Sequence, residues 1–360
     1  MTKQLGFGLI GLGEIAYKST ALLLQQAYNA TMVAGVDPVE HVCQSFENTY
    51  HIPCSTSLQD ILDNPDVDAV VVSTPHDLHT PLAIEAARAG KHVVVEKPMA
   101  TDIHDAQSII SACNSAGVLC SAKEGGVRYQ PPTQRARELI QSGAIGDVMA
   151  IQIYGAANKP VSYWTGGYTG RVETIWRKKK AMSGGGILIM NYIYDIYRMR
   201  YVTGLEVQRV FAEYDTYRTD VEVEDFITVS LRFSNGALGT VTASSCAPGA
   251  SKQGMRGSKA SGNRIYGTAG QIVFEGGDLL VYTDKVVPGI QTGEWIKESF
   301  PPDGMENAWV TYFEHFADVA LNGGTVDIPG EEGYKDLEVI LAAYQSGESH
   351  QSVTLPLVED

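Results

Sequence analysis

Two short runs in this sequence carry residue types that suit chemistry on a nucleotide. Gly11-Leu12-Gly13-Glu14-Ile15-Ala16 follows the apolar run Phe7-Gly8-Leu9-Ile10, and Val93-Val94-Val95-Glu96-Lys97-Pro98 comes further along. A strand, then G-x-G-x-x-A, then a helix is a turn that cradles a pyrophosphate. The first glycine permits the tight turn, Gly13 lets backbone approach the phosphates, and Ala16 lets the helix pack close to the strand. The helix N-terminus at Glu14 and Ile15 adds free N–H groups and partial positive charge. Gly11, Gly13, Glu14, Ile15 and Ala16 are therefore the expected cradle of a dinucleotide.

Asp37 ends the next apolar run, Val33-Ala34-Gly35-Val36. A carboxylate there accepts hydrogen bonds from ribose hydroxyls and repels a 2′-phosphate, and no arginine follows it, so NAD is expected rather than NADP. The turn Ser73-Thr74-Pro75-His76-Asp77-Leu78-His79 leaves another apolar run and should pass under the nicotinamide ribose. Ser73, Thr74, Pro75, His76 and His79 are its expected contacts. His76 and His79 are three apart, but no carboxylate or cysteine set completes a metal site, and no metal is expected. Lys97 stands just past a buried strand and before Pro98, which restricts the chain and helps to aim the side chain. Burial and a cationic nicotinamide would both lower its pKa, which makes it a candidate proton-transfer group near neutrality. Glu96 is expected to orient the backbone or Lys97 beside the cofactor.

These residues need a scaffold. Apolar runs at 5–10, 32–36, 69–73, 92–95 and 118–121 alternate with helix-length stretches such as 17–27 and 78–89. That rhythm predicts a doubly wound parallel sheet. Beyond a turn at 141–147 the runs 148–156, 207–215, 226–233, 237–243 and 271–275 read as long strands with few helices between them, an open, mostly antiparallel sheet. One helix is predicted at 188–203 and two more at 305–322 and 331–347. The tail 353–356 is strand-like. The fold class is α/β: a Rossmann domain over 1–124 and a second α/β domain over 125–360. The glycine-rich, basic stretch 247–261 is expected to be a mobile loop.

The chain has 360 residues, enough for two domains with cores, and a net charge of −15 that argues against nucleic acid and anionic membrane as partners. No window approaches the apolar length of a membrane span, and the N-terminus runs straight into the first strand, so neither span nor signal peptide is expected. The five cysteines are scattered without a C-x-x-C pair. They suit a reducing compartment, and the cytoplasm is the expected location.

At this point the chain resembles the Gfo/Idh/MocA oxidoreductases, which include glucose–fructose oxidoreductase and inositol dehydrogenase. The matching pieces are GLGEIA at 11–16, STPHDLHTPLAIEAARAGKHVVVEKP at 73–98, IQSGAIGD at 140–147, SGGGILIM at 183–190 and GEEGYKDLEVILAAYQS at 330–346. The resemblance implies a C-terminal domain whose open sheet face forms homodimers or homotetramers, a sugar or polyol substrate, and a proton-transfer role for Lys97. It also implies a second polar group on the helix after the glycine run. The family's aspartate and histidine align with Met190 and Tyr194, so a tyrosine stands for the histidine and the aspartate is missing. Tyr194 is then the second catalytic candidate. A packed stripe of Tyr192, Tyr194, Tyr197 and Tyr201 is the plainer reading, and Asn191 with Asp195 would be the polar pair if the alignment slips by one residue.

Arg171, Arg177, Lys178, Lys179 and Lys180 lie together against only Glu173, just before the glycine run. An anionic group on the substrate would explain them, and so would a solvated loop. Trp176 and Arg177 match family positions. Trp176, Arg177 and Lys180, with Arg128 and Tyr129, are the expected substrate-side residues, and Lys123 stands just before the last two. The leading expectation is an NAD-dependent dehydrogenase of a sugar or sugar derivative. Two alternatives are a redox-neutral glycoside cleavage by transient oxidation, elimination, hydration and re-reduction, and a non-catalytic NAD-binding regulator.

Overall fold

The computed structural model describes residues 3–251 and 262–358. Most of the basic loop expected at 247–261 lies outside the described residues. By contact the chain divides into two units interleaved in sequence. The first comprises Met1–Gly126, Ser162–Gly184 and Trp309–Leu337; the second comprises Val127–Val161, Gly185–Ala308 and Glu338–Asp360. Sequence reading had drawn a single boundary after residue 124.

The first unit is built on six parallel strands: β1 (Leu5–Ile10), β2 (Ala30–Val36), β3 (Cys54–Ser55), β4 (Ala69–Val72), β5 (His92–Val95) and β6 (Cys120–Ala122). Their order is β3-β2-β1-β4-β5-β6. β1 and β4 are buried along their whole length, which is why they read as continuous apolar runs and not as alternations. The helices between them are α1 (Ala21–Gln26), α2 (Glu40–Tyr50), α3 (Leu58–Leu62), α4 (His79–Arg88) and α5 (Ile103–Ala116). α5 has a clear start signal: Asp102 accepts from the His104 and Asp105 N–H groups, and Gly117 ends it at positive φ.

Phe7 on β1 meets Phe313 and Phe316, with ring centroids 5.7 and 6.1 Å away. Its neighbour Gly8 faces the other way: a Cβ there would lie 2.9 Å from Ile61 of α3. The sheet is thus covered on both faces, one of them by residues from the far end of the chain. The strand order reverses between β1 and β4, and in such sheets the carboxyl ends at the reversal form the ligand crevice.

The second unit contains α6 (Pro131–Gln141), β7 (Val148–Ala156), β8 (Val207–Asp215), β9 (Phe226–Phe233), β10 (Leu238–Ser244), β11 (Gly262–Gly267), β12 (Gly270–Glu275), β13 (Asp278–Thr283), β14 (Ile296–Glu298) and β15 (Val353–Thr354). They form one nine-stranded sheet in the order β14-β13-β12-β11-β7-β10-β9-β8-β15. Every neighbouring pair is antiparallel except β10 with β7. One face is buried, as the alternation of Ile227, Val229, Leu231 and Phe233 on β9 requires, while Met149, Tyr154, Phe211 and Leu238 are exposed. The remaining helices are α7 (Val161–Thr165), α8 (Lys180–Ser183), α9 (Ile193–Thr203), α10 (Pro302–Asn322) and α11 (Gly330–Ser349). No helix among the described residues is long and apolar enough to cross a membrane.

Phe313 is fully buried against Phe7. Phe313→Ala is expected to lower unfolding free energy by about 3–5 kcal/mol in urea denaturation; a loss below about 1 kcal/mol would show that this face of the parallel sheet is not part of the core.

Candidate active site

The carboxyl ends of β1, β2, β4 and β5 bring most of the expected cofactor residues together within the first unit. Gly11 has φ +88°, and a Cβ there would lie 2.8 Å from Thr74 Cγ2 and 2.9 Å from the Ser73 carbonyl oxygen, so this turn admits only glycine. A Cβ on Gly13 would meet nothing within 4 Å. That open side is the cradle a pyrophosphate would fill. Ala16 is fully buried and starts a π-helical turn, Ala16–Thr20, that leads into α1. Such turns occur often at functional sites.

Asp37 is buried and already organises the turn. Its Oδ2 accepts from the Leu12 N–H at 3.0 Å, and its Oδ1 from the Val39 N–H at 3.0 Å. A carboxylate has about four acceptor sites, so capacity for ribose hydroxyls remains. The Ser73 hydroxyl at the end of β4 is buried without a hydrogen-bond partner. An orphaned hydroxyl beside an open glycine turn fits a polar ligand group.

His79 ties two of the turns together: Nδ1 lies 2.9 Å from the Pro98 carbonyl oxygen and Nε2 3.0 Å from that of Thr74. Burial lowers its pKa and favours the neutral ring, whose single N–H serves one carbonyl at a time. His76 is buried too, and desolvation, with His79 and Lys97 nearby, holds its pKa well below the usual range. Its Nδ1 lies 2.7 Å from the Ser183 carbonyl oxygen, which can only accept, so Nδ1 carries the proton and Nε2 is left as an acceptor.

Lys97 lies in the turn after β5, where its peptide to Pro98 is cis. Burial pulls its pKa down to about 8 against the opposing pull of Glu96; the positive charge of Arg177 adds to the lowering. Glu96 does not serve Lys97 alone. It is ion-paired with Lys123 of the neighbouring strand end, and Lys123 also donates to Thr20 Oγ1 at 2.8 Å. Burial alone would raise the Glu96 carboxyl, but the charge and hydrogen bond of Lys123, with smaller help from Lys97 and His79, together bring its pKa below the usual range. The Lys97 backbone N–H donates to Glu96 Oε2 at 3.3 Å.

The basic run divides in two. Arg171 turns to the glycine turn: it donates to Ser45 Oγ at 2.9 Å, to the carbonyls of Val42 and Leu12 at 3.3 and 3.4 Å, and lies 3.8 Å over the Tyr17 ring. Beside it the Tyr168 N–H donates to Glu14 Oε2 at 2.8 Å. Arg177 instead lies over Trp176 and Tyr163, with the Trp176 ring 4.4 Å from that of His76 and tilted 58° to it. Lys178 and Lys179 are half-buried, and Lys180 is exposed.

The second unit holds the other expected residues. Glycine is required next to α11: a Cβ on Gly185 would lie 2.3 Å from the Tyr344 hydroxyl, and one on Gly186 would lie 2.0 Å from the Glu224 carbonyl. Glu224 accepts from Gly186 N, Leu188 N and the Tyr344 hydroxyl at 2.6, 2.9 and 2.9 Å. Burial pushes its pKa up to about 7 against these bonds. The chain then makes a second π-helical turn, Leu188–Tyr192, before α9.

Met190 and Tyr192 are buried there, while Asn191 and Tyr194 are half-buried. Asp195 is fully buried, accepting from Arg198 at 3.0 Å and Asn263 at 2.6 Å. Tyr197 and Tyr201 stack with parallel rings 6.0 Å apart, and Arg128 lies 4.6 Å over Tyr201 and 5.8 Å over Tyr129. Sequence reading missed Glu224 and Tyr344 because their partners are remote in sequence.

Residues 5–124 match the family model described as "Oxidoreductase family, NAD-binding Rossmann fold", and residues 133–273 match the GFO/IDH/MocA C-terminal domain. The chain is 26% identical to 1,5-anhydro-D-fructose reductase of Ensifer adhaerens over 83% of each chain. It is 25% identical to scyllo-inositol 2-dehydrogenase (NAD(+)) of Bacillus subtilis over 99% of this chain and 97% of that one. Among solved structures, the aldose-aldose oxidoreductase of Caulobacter crescentus, complexed with glycerol, superposes with a TM-score of 0.81 at 26% identity, covering 98% of this chain and all of the other.

Asp37→Asn keeps an acceptor for Leu12 N–H and removes the negative charge. It is expected to improve NADP binding relative to NAD by about tenfold, or about 1.4 kcal/mol, in fluorescence titrations. An unchanged ratio would mean that Asp37 shapes the turn without reading the ribose.

Proposed function

The chain belongs to the Gfo/Idh/MocA oxidoreductase family, and on that premise we propose that it oxidises or reduces a hydroxyl of a sugar or sugar derivative with NAD. The observation that carries this reading is Lys97: a half-buried residue at the carboxyl end of β5 whose amine has its pKa lowered to about 8, on the same sheet edge as the open glycine turn. NAD, when bound, supplies the hydride acceptor. Gly11, Gly13, the N–H groups at Glu14 and Ile15, Asp37 and Ser73 would hold it.

In the oxidative direction the neutral Lys97 amine takes the hydroxyl proton of the substrate; in the reductive direction its ammonium returns one. Tyr194 is the proposed second proton-transfer group, in the first turn of α9 and half-buried. Arg177 is the proposed anchor for an acidic substituent, because it lies beside Trp176 and close enough to Lys97 to lower its proton affinity. The relatives named above are an anhydro-sugar reductase and an inositol dehydrogenase; a substrate of that class is proposed here. We further propose a homodimer or homotetramer through the sheet face that carries Met149, Tyr154, Phe211 and Leu238. A cytoplasmic location is proposed from the five free cysteines.

The reading is tested by adding NAD and a panel of sugars, polyols and sugar acids and following absorbance of the reduced cofactor. Turnover with at least one is expected. No turnover with any would refute the reading, and release of an aglycone without net cofactor reduction would replace it with redox-neutral cleavage. Lys97→Ala is expected to lower kcat by about 10²–10⁴-fold while still binding NAD. Oxidation needs the neutral amine, so its rate should rise with pH through about 8, and reduction, which needs the ammonium, should fall over the same interval. A flat profile across that interval would remove Lys97 from proton transfer.

A further inference from the structure

Two residues remote in sequence close the start of the helix that carries Tyr194. The helical stretch opens at the glycine run: its first internal bond runs from the Met190 N–H to the Gly186 carbonyl at 3.1 Å. The N–H groups of Gly186, Ile187, Leu188 and Ile189 thus have no acceptor inside the helix. All four residues are buried, and buried donors of that kind must be met from elsewhere. Here each one is. Gly186 N–H donates to Glu224 Oε2 at 2.6 Å and Leu188 N–H to Oε1 at 2.9 Å. Ile187 N–H donates to the Glu224 carbonyl at 3.2 Å, and Ile189 N–H to the Tyr344 hydroxyl at 3.3 Å. The same hydroxyl donates to Glu224 Oε1 at 2.9 Å.

The closeness is built into the residue types. A Cβ on Gly186 would lie 2.0 Å from the Glu224 carbonyl oxygen and 2.6 Å from Oε2, so only glycine lets the segment before β9 approach. The groups facing the carboxyl are these backbone donors and, from α11, the Tyr344 hydroxyl, which burial and the Glu224 charge hold in its neutral form. Tyr344 in turn packs edge-on against Tyr214 of β8, with ring centroids 5.6 Å apart. The next residue, Asp225, is engaged apart from this group and accepts from the N–H groups of Tyr217, Arg218 and Thr219. Negative charge is favoured at a helix start, yet burial still pushes the Glu224 pKa up to about 7. A carboxyl whose pKa is higher in the folded chain than in the unfolded one costs stability, increasingly so as the pH rises from the usual carboxylate range to that value. The charge is therefore not explained by stability; it is explained by what it holds.

We propose that Glu224 is a positioning residue for the reaction: its carboxylate closes the helix start and so fixes the backbone from which Tyr194, about two turns further on, acts on the substrate. The inference rests on the role given to Tyr194 under the proposed function. Protonation would put a hydrogen on one of two oxygens that each already face a donor. A donor then loses its acceptor, or the Tyr344 hydroxyl must turn, and the helix start loosens. Glu224 takes no part in proton transfer; what it supplies depends on its remaining a carboxylate.

The test compares wild type with Glu224→Gln, which keeps one oxygen as an acceptor but turns an amide donor toward a group that already donates. Hydrogen exchange of the unliganded protein, read by mass spectrometry on peptides covering 186–189 and corrected for its intrinsic pH dependence, reports on the helix start without substrate. In wild type, protection there should fall about tenfold as the pH drops from about 8 to about 6. In Glu224→Gln it should be low at both ends and flat between them. Tyr344→Phe is the second variant: it keeps the carboxylate and removes one bond to it, so the midpoint should move up by at least about half a unit. Reduction, which needs the Lys97 ammonium, should follow a bell with a lower limb at about 7 and an upper one at about 8. Glu224→Gln should lose the lower limb and keep the upper, a change that a loss of stability alone would not produce. Wild-type protection that stays flat with pH, or a lower limb that persists in Glu224→Gln, would overturn the proposal. If Glu224→Gln does not fold, a midpoint unmoved in Tyr344→Phe would do the same. Failure of the wild type to turn over any sugar would bear on the proposed function alone, because the exchange experiment needs no turnover.

Discussion

The buried ion pair between Glu96 and Lys123 is the constraint on which the site depends. Both groups lie at adjacent strand ends, and both are removed from water. Breaking such a pair would leave an uncompensated buried charge, so the two side chains are fixed in each other's company. Lys97 follows Glu96 directly, and the carboxylate nearest to it in sequence is already neutralised. Burial beside that pair lowers the pKa of Lys97 to about 8, with Glu96 pulling the other way. The ends of the same two strands thus carry two lysines, Lys123 in the ion pair and Lys97 with its pKa lowered.

Around this pair the first unit collects its turns by backbone bonds more than by side-chain contacts with one another. His79 stands between the carbonyls of Thr74 and Pro98, Asp37 gathers the N–H groups of Leu12 and Val39, and His76 is fixed on the Ser183 carbonyl. These polar side chains position loops; they are committed before any ligand arrives. What is left uncommitted at the sheet edge is the open side of Gly13 and the orphaned Ser73 hydroxyl, which are features a dinucleotide would need. The segment Ser162–Gly184 joins the first unit through Arg171 and Tyr168 at the glycine turn and through Trp176 at His76.

Much of this was legible in the sequence because it is local. The glycine turn, the strand ends at Asp37, Ser73 and Lys97, and the strands Val148–Ala156, Val207–Asp215 and Phe226–Phe233 each depend on a pattern within a few residues. β3, β11, β13 and β14 were not read. β3 is only two residues long, and β13 and β14 have meaning only through their partners. The single boundary after 124 could not anticipate that Phe313 and Phe316 cover β1, since that contact joins opposite ends of the chain. The basic run at 171–180 looked like one patch. Its members part because Arg171 finds the carbonyls of Leu12 and Val42, whereas Arg177 finds aromatic faces. One signal was available and unused: Glu96-Lys97 after one apolar run is mirrored by Lys123-Glu124 after the next. Such an inverted pair at neighbouring parallel strand ends is what an ion-paired register produces.

The central claim is that the amine at Lys97 is a labile proton site facing the nicotinamide end of the bound cofactor. It is tested most directly by calorimetric titration of NAD into the protein near pH 8, in buffers of different ionisation enthalpy, which counts protons exchanged on binding. The positive ring of the oxidised cofactor should expel part of a proton from an amine whose pKa lies at about 8. The account expects fractional proton release for wild type and none for Lys97→Met. Equal release from both proteins, or none from either with NAD bound, would contradict it.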